Sequence, residues 1–169
     1  MEPSVERGDD EGRGPGGEVY DWYQRGRTLL ESGSPEAAAT LLEHAVDAEP
    51  GSASLREALA RALFDARRYD EALVQFTTLT QQAPQEDYAW FGLGLTRYRL
   101  GQVEAAAEHL AMAVAMRPGR PAYVQALREA RATLRAREEL AEGGGGTVAP
   151  GAAPEGPAPA PGSAPVDGD

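Results

Sequence analysis

Apolar residues recur along the middle of the chain at the three- and four-residue intervals of amphipathic helices. The clearest pair runs from Asp87 to Leu100 and from Val103 to Met116, with a short break at Gly101 and Gln102. Residues 121 to 142, "PAYVQALREARATLRAREELAE", make one further helical run. It carries Val124, Leu127 and Leu134 on one side and Arg128, Arg131, Arg135 and Glu138 elsewhere. Ser34, Pro35 and Glu36 read as an N-cap followed by proline in the first helical turn.

The helical pattern repeats itself. With Pro50, Pro84 and Pro118 in register the spacing is 34 residues each time, the period of a helix-turn-helix solenoid unit. Trp22 and Trp90 then share the fourth position, Gly26, Ala60 and Gly94 the eighth, and Ala38, Ala72 and Ala106 the twentieth. Leu42, Phe76 and Leu110 share the twenty-fourth position, and Ala45, Leu79 and Ala113 the twenty-seventh. Small residues at positions eight and twenty let two helices approach closely, while larger ones at four, seven, eleven and twenty-four fill the space around that contact. The proline at position thirty-two ends the second helix, because it lacks a backbone donor and disfavours helix in the residue before it.

These positions carry a resemblance to the tetratricopeptide repeat family, whose pattern is W-x2-L-G-x2-Y, then A-x3-F, then P. The third repeat matches it best, through Trp90, Leu93, Gly94, Ala106, Leu110 and Pro118. Arg97 holds the usual Tyr position with Tyr98 beside it, Arg25 stands where Leu is usual, and Arg56 stands in place of Trp. The resemblance implies an all-α fold: a right-handed superhelical solenoid of three helix-turn-helix repeats (19–52, 53–86 and 87–120) with a C-terminal capping helix over 121–142. That last helix would cover the apolar flank that a stacked array leaves on its final unit. Arg25, at a position buried in internal repeats, implies that nothing packs ahead of the first.

Composition adds the flanks. Residues 1 to 18 hold six acids, two arginines and five glycines, and residues 143 to 169 are rich in Gly, Pro and Ala with no basic residue. Neither has the apolar content to offset chain ordering, so both are expected to be disordered, the tail with polyproline II stretches. No apolar run fits a signal peptide or a membrane span, and the expected setting is cytoplasmic.

Charge and chemistry narrow the function. The net charge of -11 disfavours nucleic acid and anionic membranes, and the absence of cysteine excludes disulfides, thiolate metal sites and cysteine nucleophiles. Arg128, Arg131 and Arg135 recur at helical spacing, but Glu139 lies four residues beyond Arg135 as a pairing partner. A dinucleotide loop at Gly92 and Gly94 would need a third glycine where Arg97 stands, so Gly94 reads as a packing residue. His44 and His109 each lack a second histidine at ligand spacing and are expected on the surface. No catalytic, metal or cofactor constellation emerges, and an enzyme is not expected.

What the resemblance implies instead is a concave groove lined by the first helices, with positions two, five, nine and twelve facing into it. These are Tyr20, Tyr23, Arg27 and Leu30 in the first repeat and Ser54, Glu57, Arg61 and Phe64 in the second. The third supplies Tyr88, Phe91, Leu95 and Tyr98. The expected partner is a peptide or helix of another protein, with the rings and Leu95 as anchors and Arg27 and Arg61 reading an acidic group. One subclass of the family clamps the carboxylate terminus of chaperone tails. The matching positions here are Tyr23, Arg27, Ala58, Tyr88 and Gly92, of which only Arg27 could serve. Self-association into a homo-oligomer, and occupation of the groove by the Pro-rich tail, stay open as alternatives.

Overall fold

The computed structural model describes residues 15–143, and the expectations for the chain ends beyond them lie outside the described residues. Seven helices follow one another: α1 (Pro15–Glu31), α2 (Pro35–Ala48), α3 (Ala53–Asp65), α4 (Tyr69–Gln82), α5 (Asp87–Arg99), α6 (Val103–Met116) and α7 (Pro121–Gly143). Among the described residues there is no strand. Helix α1 starts four residues ahead of the first repeat, at Pro15, where a missing backbone N–H forfeits no helical hydrogen bond. Helices α1/α2, α3/α4 and α5/α6 form three successive hairpins, each second helix packs on the next first helix, and α1, α3, α5 and α7 also meet one another.

The turn inside each hairpin is built the same way three times. Its fifteenth repeat residue is left-handed in every copy: Gly33 at φ 76°, Arg67 at φ 62° and Gly101 at φ 77°. The following residue closes the helix with a bond back five positions, Ser34 N to Leu29 O at 2.8 Å, Arg68 N to Leu63 O at 2.9 Å and Gln102 N to Arg97 O at 2.9 Å. This is the Schellman closure, which favours glycine at the left-handed residue. Ser34 does sit at the α2 N-cap position, but its side chain makes no capping bond and only its carbonyl accepts, from Ala38 N at 3.0 Å. Ser52 caps α3 through its hydroxyl, which accepts from Leu55 N.

Close approach at position eight is real. A Cβ on Gly26 would lie 2.6 Å from Leu42 Cγ, and one on Gly94 would lie 2.7 Å from Leu110 Cγ. Gly92 adds a contact between repeats, since its Cβ would lie 2.2 Å from Phe76 Cε1. At this sixth position the other junctions carry Ala58 and Ala126 behind Leu42 and Leu110, so the one phenylalanine at position twenty-four is matched by the one glycine.

The Arg56 departure is also accounted for. Trp90 donates its indole N–H to Pro84 O at 2.9 Å, and Arg56, one repeat earlier, donates Nη2 to the equivalent Pro50 O at 2.7 Å. Arg56 also donates to Gln75 at 2.7 Å and Gln82 at 2.9 Å on α4. A flat donor-bearing group thus ties each of these first helices to the preceding proline turn. On the outer layer, Arg68 gathers Glu43 at 2.9 Å and Glu71 at 2.6 Å, with Glu36 at 3.8 Å, and so links α2 to α4.

Helix α7 closes the array with Tyr123, Ala126, Leu127 and Ala130 buried and Leu134 packed at the edge of the core. Val124, expected on the packing side, is only half-buried: it stands at the fourth repeat position, and no further second helix follows among the described residues. Arg128 occupies the eighth position and is exposed, so the close-approach site of the earlier repeats is blocked here. Arg25 is exposed as well, which leaves the α1 end uncovered among the described residues.

Candidate partner-binding groove

Helices α1, α3, α5 and α7 lie side by side, and their second, fifth, ninth and twelfth positions share one face. At the α1 end that face is accessible. Tyr20 is 61% exposed, Tyr23 is half-buried, and the Arg27 guanidinium lies 5.8 Å from the centre of the Tyr23 ring. Arg27 also pairs with Glu31 at 3.8 Å. Leu30 is half-buried against the core. Arg61, on α3, is half-buried and faces Asp65 at 3.7 Å.

Toward α5 the same positions close over. Phe64, Tyr88, Phe91 and Leu95, expected as partner anchors, are core residues: the first three are each 3% exposed and Leu95 is fully buried. Aromatic neighbours cover the three rings. Phe91 stacks on Tyr123 of α7 with centroids 4.4 Å apart, and Tyr88 lies against Phe76 at 6.4 Å and Phe91 at 6.3 Å. Phe64 meets the Tyr69 ring edge-on at 5.4 Å. Tyr98 stays half-buried, and its hydroxyl shares a 2.8 Å hydrogen bond with Thr133. The face therefore offers Tyr20, Tyr23, Arg27, Arg61 and Tyr98, and hides the other four.

Several polar residues interact around the start of α5. Asp87, 8% exposed, accepts from the Tyr123 hydroxyl at 2.6 Å and pairs with Arg117 at 3.1 Å, which fastens α7 to the start of α5. Burial and that hydrogen bond push the Tyr123 hydroxyl above its ordinary range. Glu57 is pushed up to about 7, chiefly by burial and then by Glu86, with Arg61 pulling the other way and Asp87 adding to the rise. Burial likewise raises the Tyr88 hydroxyl, which lies within reach of the charges of Arg61, Glu57 and Asp65. The Asp87–Tyr123 bond joins residues 36 apart in sequence, and no local motif announces it.

Each of the two histidines lies against a tryptophan ring. His44 is exposed with its ring edge-on to Trp22 at 6.2 Å, and His109 stacks on Trp90 at 5.9 Å. Each Nδ1 faces the helix carbonyl four residues back, Thr40 and Ala105. Among the described residues no group of His, Asp and Glu is placed to hold a metal ion, and no helix is long and apolar enough to cross a membrane.

The tetratricopeptide repeat family model matches residues 29–90 and 63–131, which together span more than half of the chain. The chain belongs to the tetratricopeptide repeat family. No curated protein matches it significantly. Among solved structures it is similar to the first tetratricopeptide domain of human RPAP3, at TM-score 0.68 and 19% identity over 75% of this chain and 98% of that one. The second RPAP3 domain, in complex with the HSP70 peptide SGPTIEEVD, gives TM-score 0.66 and 22% identity over 70% and 98%. YrrB, described as a tetratricopeptide repeat protein with an unusual peptide-binding site, gives TM-score 0.64 and 26% identity over 69% of this chain and 59% of that one. The likeness establishes an all-α tetratricopeptide repeat solenoid.

Proposed function

We propose that this tetratricopeptide repeat protein is a non-catalytic interaction module that binds a segment of a partner protein along the face formed by α1, α3, α5 and α7. The observation that carries the reading is the accessible cluster of Tyr20, Tyr23 and Arg27 at the α1 end of that face. Exposed aromatic side chains supply large contact area with little loss of side-chain freedom, and arginine adds charged donors, which is the composition of binding anchors. Similar domains with bound HSP90 and HSP70 peptides support peptide binding as the class of activity.

The chemistry of the face favours a different peptide from those acidic tails. Of the positions matching the carboxylate clamp, Tyr88 and Gly92 are buried. Arg27 is already paired with Glu31. The overall charge of -11 likewise argues for a protein partner over phosphate backbones or anionic lipid.

Crosslinking capture from the native host tests the reading. The Tyr20→Ala, Tyr23→Ala double variant is expected to lose about fivefold or more of the captured partner relative to wild type while its helical circular dichroism is retained. Undiminished capture by the folded double variant would overturn the assignment of this face.

A further inference from the structure

Within a hairpin, the second helix lies along a stripe of the first at positions four, eight and eleven. On α5 these are Trp90, stacked on His109 at 5.9 Å, Gly94, packed against Leu110, and Arg97, which donates to Gln102 at 2.7 Å. Helix α7 is a first helix with no second helix among the described residues. The same stripe on it is Val124, Arg128, Arg131 and, one turn on, Arg135. Val124 is half-buried and the three arginines are exposed. Beside Val124 the stripe opens into a pocket lined by Pro118, Gly119, Pro121, Ala122 and Arg128.

Charge along this vacant slot changes sign. Arg128, Arg131 and Arg135 form no ion pair among the described residues. Their charged neighbours are engaged elsewhere: Arg117 pairs with Asp87 at 3.1 Å, Arg120 lies over the Tyr123 ring at 5.4 Å, and Glu129 accepts from Gln125 at 2.6 Å. Toward the end of α7 the stripe continues in Glu138 and Glu142, with Glu139 beside them. There Arg137 reaches Glu104 of α6 at 4.0 Å, and Glu108 stands one turn beyond it. Every second helix runs antiparallel to its first. An occupant that does the same must be uncharged where it leaves the end of α7, acidic further on, and small and apolar at the pocket.

We propose that residues 144–169 of this chain lie along the slot, antiparallel to α7, and close the end of the array. Their sequence meets each requirement. The glycines at 143–146 admit the backbone conformations of a tight reversal, and no charge falls between Gly143 and Glu155. Val124 stands 19 residues before Gly143, about 28 Å along the helix. The nine residues from Thr147 to Glu155 span about the same length as polyproline II, which brings Glu155 beside Val124 and Arg128. Beyond it come only Gly, Pro, Ala, Ser and Val until Asp167 and Asp169, with no basic residue. Attachment to α7 gives the segment an effective concentration on the order of millimolar, so weak contacts suffice. A second copy lacks that advantage: copies of charge -11 repel, and α7 against α7 would offer mainly exposed ion pairs. The stripe lies on a different side of α7 from Gln125, Glu129 and Ala132, whose repeat positions continue the partner face, so that face stays open.

The chain has no cysteine, so a nitroxide on Ala153→Cys is a unique label in the full-length protein. Amide signals of Val124 to Arg131 are expected to lose most of their intensity. Arg128→Glu with Arg131→Glu is expected to restore them, because the reversed stripe repels Glu155. Adding Glu155→Arg, Asp167→Arg and Asp169→Arg should remove them again, with helical circular dichroism unchanged throughout. Broadening confined to Glu138 through Gly143, the pattern of a segment detached from the slot, would overturn the proposal. So would broadening at Tyr20, Tyr23 and Arg27, which would put the segment on the partner face, or broadening that survives the charge reversal. In a mixture of nitroxide-bearing protein with isotope-labelled protein lacking the nitroxide, the latter should be unaffected; broadening there would make the occupant a second copy. Partner capture by the Tyr20 and Tyr23 face reads a different surface, so the two proposals fail separately.

Discussion

Tyr20 and Tyr23 in α1 and Tyr88 and Phe91 in α5 occupy the same second and fifth repeat positions, yet Tyr20 is 61% exposed while Tyr88 and Phe91 are each 3% exposed. Helix α5 lies between α3 and α7, so its rings are covered from α7 by Tyr123 and meet Phe76 of α4. Helix α1 has a neighbouring first helix only on the α3 side among the described residues. A repeat position thus fixes the direction of a side chain, and the neighbouring unit decides whether that direction ends in solvent or in the core. The open end of a short array is where recognition residues can stay accessible.

The strongest way to break this comparison is to truncate the fifth position in both repeats. Phe91→Ala removes a buried ring together with its stacking partner's contact and is expected to cost about 3–5 kcal/mol in urea unfolding. Tyr23→Ala removes a half-buried ring at the edge and is expected to cost under about 1 kcal/mol. Similar losses at the two positions would mean that α1 is as tightly covered as α5.

The adjacent sixth position sharpens the same contrast. Gly92→Ala would place a Cβ 2.2 Å from Phe76, an overpacking strain on the order of 1–3 kcal/mol that the better helix propensity of alanine offsets only in part. Adding Phe76→Leu recreates the Ala and Leu pairing found at the other two junctions, and the double variant is expected to be at least about 1 kcal/mol more stable than the sum of the single effects. Strict additivity in thermal or urea unfolding would show that the Phe and Gly pairing is not what fits α5 to α4. In α1 the sixth position is Gln24, half-buried with no preceding second helix among the described residues, and Gln24→Ala is expected to be near neutral.

The sequence carries the repeat well because the period is written in residue size. Gly26 and Gly94 lie against Leu42 and Leu110 as the spacing requires, and two of the three hairpin breaks fall at glycines, Gly33 and Gly101. The groove is less readable, because burial at Tyr88 and Phe91 depends on Tyr123 and Phe76, which belong to other elements and enter through size and not through period. Arg56 shows a second limit. A pattern scored for apolar matches counts it as a defect, whereas its guanidinium makes the bond to Pro50 that the indole of Trp90 makes to Pro84. Glu57 shows a third: its raised proton affinity comes from burial and from Glu86, 29 residues away in sequence and near in the fold.

The smallest expected effect concerns a position where all three repeats behave alike. Gly33, Arg67 and Gly101 adopt the same left-handed conformation in the same Schellman turn, but only Arg67 has a Cβ to accommodate there. Its side chain is exposed, so exchange for glycine forfeits no packing. The left-handed conformation costs a non-glycine residue roughly 1–2 kcal/mol, and the greater freedom of glycine in the unfolded chain returns part of that. Arg67→Gly is therefore expected to stabilise the array by about 0.5–1 kcal/mol and to raise the melting temperature by about 2–4 °C. Gly33→Ala and Gly101→Ala should lower it by a similar amount. A fall in melting temperature for Arg67→Gly would mean that the arginine holds this turn through an interaction worth more than its backbone strain, and would set the second hairpin apart from its two neighbours.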